Sequence, residues 1–380
     1  MSLQSLVFCS DEKILRVLRR VLSDLEIRVE QCPDAQAAIH KLTRQRFEAV
    51  IVDCLDERLA SQVLRSARTA PCNKRAIAVA IIDGQQALKS AFELGAHFVL
   101  YKPISMERAR TSFRAARALM KRERRRNLRV PLSIPVVLAT DDGVRHQTTT
   151  SDIGEGGVAV QSCLKSRTPQ PLRIQFTLPG SDYSWEGLAE VAWETSGRNA
   201  GLRFVDSSPE AREQLRKWLN QQAPEMEQDD PPVPCKLTDL SPGGCYLETN
   251  TPFPVRARLV LSMSIAGMDV EVTGVVRVMH PENGMGIEFM QNTPTQRNLV
   301  EKFIHALRES KGELPELLVE PEGLEAAEAD GTAAPATEPI DDPLLELFAK
   351  GFDLGPSEFI AELHRQRGET PKKGAAAFSV

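Results

Sequence analysis

Apolar and polar positions follow two patterns over residues 1–120. Short apolar runs, including 47–54 and 76–82, are typical of buried strands, whereas stretches such as 12–25 repeat apolar residues at helical spacing. Five such strands alternate with five helical stretches along this segment. This order predicts an α/β domain with a doubly wound parallel sheet, in which any functional groups lie at the carboxyl ends of the strands.

Beyond residue 130 the apolar pattern changes to a period of two, which is typical of half-buried strands. Several such runs precede an amphipathic helix, and the same order then occurs a second time. Gly201-Leu-Arg-Phe recurs 85 residues later as Gly286-Ile-Glu-Phe, and the stretch 152–157 recurs 87 residues later as 239–244. A nearly constant offset indicates an internal duplication. It predicts two small antiparallel all-β barrels, each followed by a C-terminal helix.

These patterns divide the chain into four parts. We predict the α/β domain over 1–120, a first barrel over 121–222, a second barrel over 232–308 and a tail over 309–380. The tail is acidic and rich in Pro and Ala, so we expect it to be mostly disordered, with two short amphipathic helices near its end. The second barrel lacks a clear first strand, and we expect it to borrow an edge strand from the first barrel.

Charge, hydropathy and cysteine content argue against a membrane-spanning, secreted, zinc-binding or disulfide-linked protein. The 380 residues carry a net charge of −5, and no apolar run is long enough to span a membrane. The N-terminus lacks the basic and apolar regions of a signal peptide, which predicts a cytoplasmic protein. The seven cysteines form no C-x-x-C pair, so we expect neither zinc nor disulfides. The charge is uneven, because the run 121–130 has the sequence KRERRRNLRV.

Charged residues follow three predicted strands of the first domain. Asp11 and Glu12 follow the first strand, Asp53 ends the third, and Lys102 follows the fifth. With this arrangement, residues 1–120 resemble the receiver domain of bacterial response regulators, which has a flavodoxin-like fold. The resemblance implies that Asp53 accepts a phosphoryl group, that Asp11 and Asp53 bind Mg²⁺, and that Lys102 pairs with the phosphoryl oxygens.

The segment departs from the receiver pattern in the residues that transmit phosphorylation. Ile81 and Ile82 replace the hydroxyl residue expected after the fourth strand, and Val99 replaces the aromatic residue expected in the fifth. We therefore expect a pseudo-receiver that docks or dimerises, in which Asp53 is dispensable for folding and for ligand binding. Switching by phosphorylation is the alternative, and a simple capping role for Asp53 is a third interpretation.

The first predicted barrel contains two motifs in order. Arg125 and Arg129 form an R-x-x-x-R pair, and Asp152, Gly154 and Gly157 lie in a glycine-rich turn between strands. Both copies of the module resemble the PilZ domain, a bacterial receptor for cyclic di-GMP. The resemblance implies that these residues bind that ligand, because guanidinium groups grip phosphates and stack on guanine, and a carboxylate accepts hydrogen bonds from a guanine edge. We expect the two arginines to lie on a flexible arm that folds across the turn.

The second copy has the D-x-S-x-x-G motif at Asp239, Ser241 and Gly244 but no basic arm before it. It is therefore expected to be degenerate, with a role in packing or in contact with a partner. The first copy has Gly154 where the motif has serine. We expect Gly154→Ser to tighten ligand binding if the backbone tolerates a side chain there.

No nucleophile–base pair, metal cluster or P-loop is evident, so the sequence predicts a protein without enzymatic activity. We expect a cyclic di-GMP receptor that passes the state of this second messenger to a protein partner in a bacterial signalling pathway; whether the chain forms a homodimer is left open. One alternative is an interaction scaffold that no longer binds nucleotide. Another is a DNA-binding response regulator, which is disfavoured because strands, not a recognition helix, follow the arginine run.

Overall fold

The computed structural model describes residues 2–84, 87–140, 144–161, 171–181, 183–195, 199–222, 230–281, 283–290, 294–310, 315–325, 342–350 and 356–366. The chain forms two compact units. One comprises Glu123–Gln228, and the other comprises Ser2–Arg122 together with Asp229–Val380. The receiver-like domain and the second copy of the duplicated module therefore belong to the same unit.

The N-terminal domain has the predicted α/β fold. Its parallel sheet has the strand order β2-β1-β3-β4-β5, which is the flavodoxin-like order. The strands are β1 (Leu3–Phe8), β2 (Ile27–Cys32), β3 (Ala49–Asp53), β4 (Ile77–Ile82) and β5 (Phe98–Tyr101). The helices are α1 (Glu12–Asp24), α2 (Ala35–Arg44), α3 (Glu57–Thr69), α4 (Leu88–Glu93) and α5 (Met106–Arg126). The central strands β3 and β4 are buried throughout, which explains their continuous apolar sequences.

Helix α5 continues beyond the predicted domain boundary at residue 120 and ends at Arg126. Lys121, Arg122 and Arg125 are buried along it. Most of the arginine run is therefore helical, and the prediction of a flexible arm is wrong for Arg125. Cationic side chains stabilise the last turn of a helix through its dipole, so the run favours continuation of the helix.

Part of the basic run links α5 to the second copy of the module. Arg117 Nη1 and Lys121 Nζ lie 2.9 and 2.8 Å from Asp230 Oδ1. Phe113 of α5 belongs to the same buried apolar cluster as Phe303 of the second copy. The second copy therefore packs against the receiver-like domain through both charge and apolar contact.

The first copy is a closed barrel. Its strands are β6 (Val130–Pro131), β7 (Pro135–Ala139), β8 (Arg145–Gly154), β9 (Gly157–Val160), β10 (Leu172–Thr177), β11 (Ser184–Glu194) and β12 (Ala200–Ser207), followed by helix α6 (Pro209–Gln222). The order is β6-β8-β7-β10-β11-β12-β9, and pairing of β9 with β8 closes the ring. The Trp185 ring packs 4.9 Å from Phe176 and 4.3 Å from Phe204, between ring centroids. Its Nε1 donates to Ala211 O at 3.0 Å, which attaches α6 to the barrel.

The second copy is a curled antiparallel sheet. Its elements are β13 (Val233–Pro234), β14 (Lys236–Leu240), β15 (Gly244–Glu248), β16 (Ala257–Ile265), β17 (Met268–His280), β18 (Gly284–Phe289), helix α7 (Pro294–Glu309) and strand β19 (Glu316–Leu324). The strand order is β13-β19-β16-β17-β18-β15-β14. No pairing among the described residues joins β14 back to the far edge, so this sheet is open where the first copy is closed.

Strand β19 takes the place that β7 has in the first barrel. It pairs antiparallel with β16, as β7 pairs with β10, the equivalent strand. The expectation that the second copy borrows a strand from the first barrel is thus wrong, because the strand comes from the segment after α7. The predicted boundary of a disordered tail at residue 309 also falls too early.

Two helices lie near the end of the chain, α8 (Pro343–Lys350) and α9 (Pro356–Gln366). They correspond to the two amphipathic stretches predicted in the tail, and both pack on the second sheet in one apolar cluster. No described helix combines the length and the apolar character required to cross a membrane.

Candidate functional site

The Asp152–Gly157 turn of the first barrel connects β8 to β9 and lies against Arg129. Arg129 Nη1 donates to Gly157 O at 2.6 Å and lies 3.5 Å from Asp152 Oδ1. The side chains of Arg129 and Asp152 are 47% and 33% exposed, so both remain accessible to a ligand. The structure therefore brings together four of the residues predicted to bind the ligand: Arg129, Asp152, Gly154 and Gly157.

In both copies the motif aspartate, Asp152 or Asp239, directly follows a shift in strand register. The pairing of β8 with β9 shifts between Thr150 and Asp152, and the pairing of β14 with β15 shifts between Leu237 and Asp239. A bulge of this kind re-aims the side chain that follows it. The two copies therefore share this backbone irregularity as well as the sequence motif.

Arg125 has a different environment from Arg129. It is buried in the last turn of α5, whereas Arg129 lies beyond the helix, directly before β6. Although the two arginines are only four residues apart, Arg125 is buried and Arg129 is accessible. Of the two arginines, Arg129 has the exposed guanidinium.

Gly154 and Gly157 allow two backbone segments to approach closely. A Cβ placed on Gly157 would lie 2.2 Å from Leu202 O, and one on Gly154 would lie 2.5 Å from Leu128 O and 2.9 Å from Arg129 Cδ. Both distances are too short for real atoms, so glycine is required by space and not by backbone angle. Position 154 therefore has no room for the serine of the motif, because its Cβ would collide with Leu128 O.

We expect Gly154→Ser to weaken ligand binding and to destabilise the first barrel by about 1–3 kcal/mol, because the new Cβ displaces the segment that carries Arg129. Gly156→Ser is the matched control, since a Cβ there has no atom within 4 Å. Thermal unfolding and calorimetry on both variants would check this. Tighter binding by Gly154→Ser would restore the expectation drawn from the motif.

The second motif has a different local geometry. Ser241 Oγ accepts a hydrogen bond from Gly244 N at 3.1 Å and lies 3.2 Å from Gly244 O. Asp239 Oδ1 accepts from Leu240 N at 2.9 Å. In this copy the Ser241 hydroxyl forms its hydrogen bonds within the turn, and the Asp239 carboxylate accepts from the backbone of its own strand.

Asp53 lies at the carboxyl end of β3 in a small polar pocket. Its side chain is 6% exposed, and Oδ1 is 2.6 Å from Lys102 Nζ. Leu55 N donates to Oδ1 at 3.2 Å, and the Cys9 thiol donates to Oδ2 at 3.5 Å. Burial, followed by smaller effects that include the Asp53 charge, raises the pKa of the Cys9 thiol to about 11, so this group is protonated near neutral pH. Lys102, which the resemblance assigned to the phosphoryl oxygens, here pairs with the Asp53 carboxylate itself.

Asp11 and Glu12, the acids after β1, lie at the start of helix α1. Asp11 is the N-cap of α1, and its Oδ1 accepts from Lys13 N at 2.7 Å and from Ile14 N at 3.3 Å. Glu12 is exposed in the first turn of that helix. Cys9 therefore stands beside Asp53 where the magnesium prediction requires an oxygen ligand. No group of three or more His, Cys, Asp or Glu residues among those described is arranged to hold a metal ion, and this donor set does not fit Mg²⁺, which prefers several oxygen ligands.

We expect Asp53→Asn to lower the free energy of unfolding by about 1–3 kcal/mol, because it leaves the Lys102 ammonium without its counter-charge in a mostly buried site. Adding Lys102→Met should recover part of this loss. Glu248→Gln is the control, since it removes the exposed partner of Lys236 and should change stability by less than about 1 kcal/mol. Equal urea midpoints for wild type and Asp53→Asn would instead support the original view that Asp53 is dispensable for folding.

Comparison with known proteins assigns the duplicated module. The family model described as the PilZ domain matches residues 123–221 and again residues 223–306. The chain carries two PilZ domains. They follow a receiver-like domain, and this combination supports a role in signalling. No curated protein matches the sequence.

Solved structures resemble separate parts of the chain. The receiver domain of a sensor histidine kinase from Pseudomonas aeruginosa, which has magnesium coordinated in its active-site cleft, is 22% identical over 28% of this chain and 90% of that chain, with a TM-score of 0.26. The PilZ domain of CeSA from a cellulose-synthesizing bacterium is 22% identical over 27% and 100% of the two chains, with a TM-score of 0.21. An adenylate cyclase from Rhodopirellula baltica is 20% identical over 30% and 87%, with a TM-score of 0.27.

Proposed function

We propose that the chain is a cyclic di-GMP receptor and that its first PilZ domain holds the binding site. The observation that carries this proposal is the position of the Arg129 guanidinium across the Asp152–Gly157 turn. Cyclic di-GMP presents two phosphates and two guanine bases. The turn offers an accessible cation and an accessible carboxylate next to a glycine-lined backbone.

Each of these groups has a chemical role in the proposed site. Arg129 binds a phosphate through two parallel hydrogen bonds or stacks on a guanine face. Asp152 accepts hydrogen bonds from the guanine edge. Arg129 donates to Gly157 O, and a nucleotide phosphate would compete with this carbonyl for the guanidinium. Gly156 leaves open space beside the turn, which gives the ligand room to approach.

Transmission to a protein partner follows from where Arg129 lies in the chain. It is three residues beyond the end of α5, a helix whose earlier residues belong to the unit of the receiver-like domain. A ligand that binds Arg129 would therefore contact the segment of chain that links α5 to the first PilZ domain. The receiver-like domain serves in this proposal as a docking domain, because its Asp53 pocket holds a lysine and a protonated thiol instead of a metal site.

A DNA-binding role is disfavoured by the burial of Lys121, Arg122 and Arg125. Buried cations do not reach the phosphates that dominate DNA affinity. Three of the six cations in the run 121–130 are thus on the buried side of a helix.

The test is a titration of the full chain with labelled cyclic di-GMP and with random duplex DNA, each at two salt concentrations. We expect saturable nucleotide binding with one nucleotide, or one stacked pair, per chain, and no comparable affinity for DNA. Absence of nucleotide binding by well-folded protein would favour the scaffold. DNA binding that falls steeply with salt would favour the DNA-binding regulator.

A further inference from the structure

The two PilZ motifs differ in what covers them. Gly156 of the first copy and Gly243 of the second occupy equivalent positions in the duplicated turn. A Cβ on Gly156 would meet no atom of the described residues within 4 Å, whereas one on Gly243 would lie 2.7 Å from Asp342 Oδ2 and 2.7 Å from Leu345 Cδ1. The second turn is therefore covered by the chain's own C-terminal segment, of which residues 342–350 and 356–366 are described.

Asp342 joins this segment to the turn through one buried carboxylate. It is 3% exposed, and its Oδ2 accepts from Gly243 N at 2.9 Å. Its Oδ1 accepts from Leu344 N at 3.0 Å, which caps the first turn of α8. A single side chain thus starts the helix and fixes it to the glycine N–H of the motif. Such charge-assisted bonds are among the stronger hydrogen bonds in proteins.

Glycines of the sheet make room for the helix. A Cβ on Gly286 would lie 2.5 Å from the Phe348 ring, and one on Gly244 would lie 3.4 Å from Leu345 Cδ2. The apolar face of α8 therefore rests directly on backbone. Any larger residue at Gly243 or Gly286 would push the helix away from the sheet.

An aromatic group holds the second helix of the segment. Phe359 is fully buried, with its ring centroid 4.5 Å from that of His280 and 5.4 Å from that of Tyr246. The Tyr246 hydroxyl and His280 Nδ1 are hydrogen-bonded at 3.0 Å. Burial lowers the pKa of His280 to about 4, so the ring under Phe359 is neutral near pH 7. Without the segment, this apolar face of the sheet would be open to solvent.

We propose that the D-x-S-P-G-G turn of the second PilZ domain is a protein-binding site for an amphipathic helix capped by an aspartate, and that residues 342–350, supported by 356–366, are its ligand within the same chain. The Asp342 carboxylate supplies the anion at the glycine N–H, and Leu345, Phe348 and Phe359 fill the apolar face. A partner that presents the same chemistry, an acid-capped helix with Leu and Phe on one face, competes for this site.

The test uses a labelled peptide of residues 341–366 and the full-length chain. Wild type should bind it weakly, because the tethered segment competes at high effective concentration. The double variant Phe348→Asp/Phe359→Asp loosens the tethered segment and should bind the peptide at least tenfold more tightly. Peptide carrying Asp342→Ala should bind this variant about ten- to a hundredfold more weakly. Peptide carrying Glu346→Ala, which changes an exposed acid one turn later, should bind as the native peptide does.

A second measurement does not require the double variant. In the full chain, Asp342→Ala should speed amide hydrogen exchange in segments 243–248 and 343–350 without changing the circular dichroism spectrum. Equal peptide binding by wild type and the double variant, no binding by either, or unchanged exchange in Asp342→Ala would overturn the proposal. None of these results depends on whether the first PilZ domain binds cyclic di-GMP.

Discussion

Arg129→Ala should weaken cyclic di-GMP binding by about 2–4 kcal/mol, which is roughly thirty- to a thousandfold in affinity. Arg129 is the exposed guanidinium that bonds Gly157 O and lies beside Asp152. Arg203, which is the β12 partner of Gly157, is instead held by Glu190 at 2.9 Å. Loss of Arg129 also leaves Asp152 facing the phosphates without the cation that lies beside it, and like charges at short range repel. Calorimetry on the wild-type and variant chains measures the difference directly.

Arg216→Ala is the matched control for this experiment. Arg212 and Arg216 repeat the R-x-x-x-R spacing on α6, and Arg216 pairs with Glu213 at 2.8 Å on an exposed face. Its replacement should leave affinity unchanged within about twofold, because an exposed ion pair contributes about 0–1 kcal/mol. Arg129→Lys should retain only part of the affinity, since lysine cannot form the planar two-bond contact. If Arg129→Ala and Arg216→Ala bound the nucleotide equally well, the site would not lie at the Asp152–Gly157 turn.

Periodicity predicted the fold class well, because each element has one dominant environment. The buried strands β3 and β4 are continuous apolar runs, and the strands of the first barrel alternate, as in β10 with the pattern buried–exposed throughout. The duplication was visible for the same reason. Equivalent backbone positions need the same glycines, and these survive at an almost constant offset.

Strand β19 was missed because its composition resembles that of a disordered segment. It is flanked by proline and glutamate, and Leu318 interrupts the alternation of apolar residues. Pro321 is tolerated because it lies beyond the two residues paired with β13 and next to the register shift opposite Arg258 and Leu259. The partner strand β16, which stabilises β19, is remote in sequence, so local composition cannot reveal the pairing.

The site was only partly predictable, because its neighbours are set by tertiary structure. The spacing of Arg125 and Arg129 suggested one flexible arm, but a single helix end separates them into buried and exposed environments. Cys9 appeared to be an ordinary apolar residue, yet the end of β1 places its thiol against Asp53. Asp342 gave no signal at all, since its contact with Gly243 spans 99 positions of the chain.

The second large effect concerns the strand that the sequence did not reveal. Val319→Asp should destabilise the second PilZ domain by about 3–5 kcal/mol, because it places an unpaired carboxylate in a fully buried position between β13 and β16. Leu318→Asp is the matched control on the neighbouring residue. Its side chain is 43% exposed on the opposite face of β19, and the change should be within about 1 kcal/mol.

Urea unfolding of the full chain, followed by amide hydrogen exchange in β16 and β19, separates the two variants. Val319→Asp should release exchange in both strands, since β16 loses the pairing partner along its whole length from Ala257 to Ser264. Leu318→Asp should leave exchange in β16 protected. Equal behaviour of the two variants would mean that residues 316–324 are not part of the sheet. The alternation of buried and exposed positions along β19 argues against that outcome, because a segment outside a sheet has no reason to bury Leu317 and Val319 while exposing Leu318 between them.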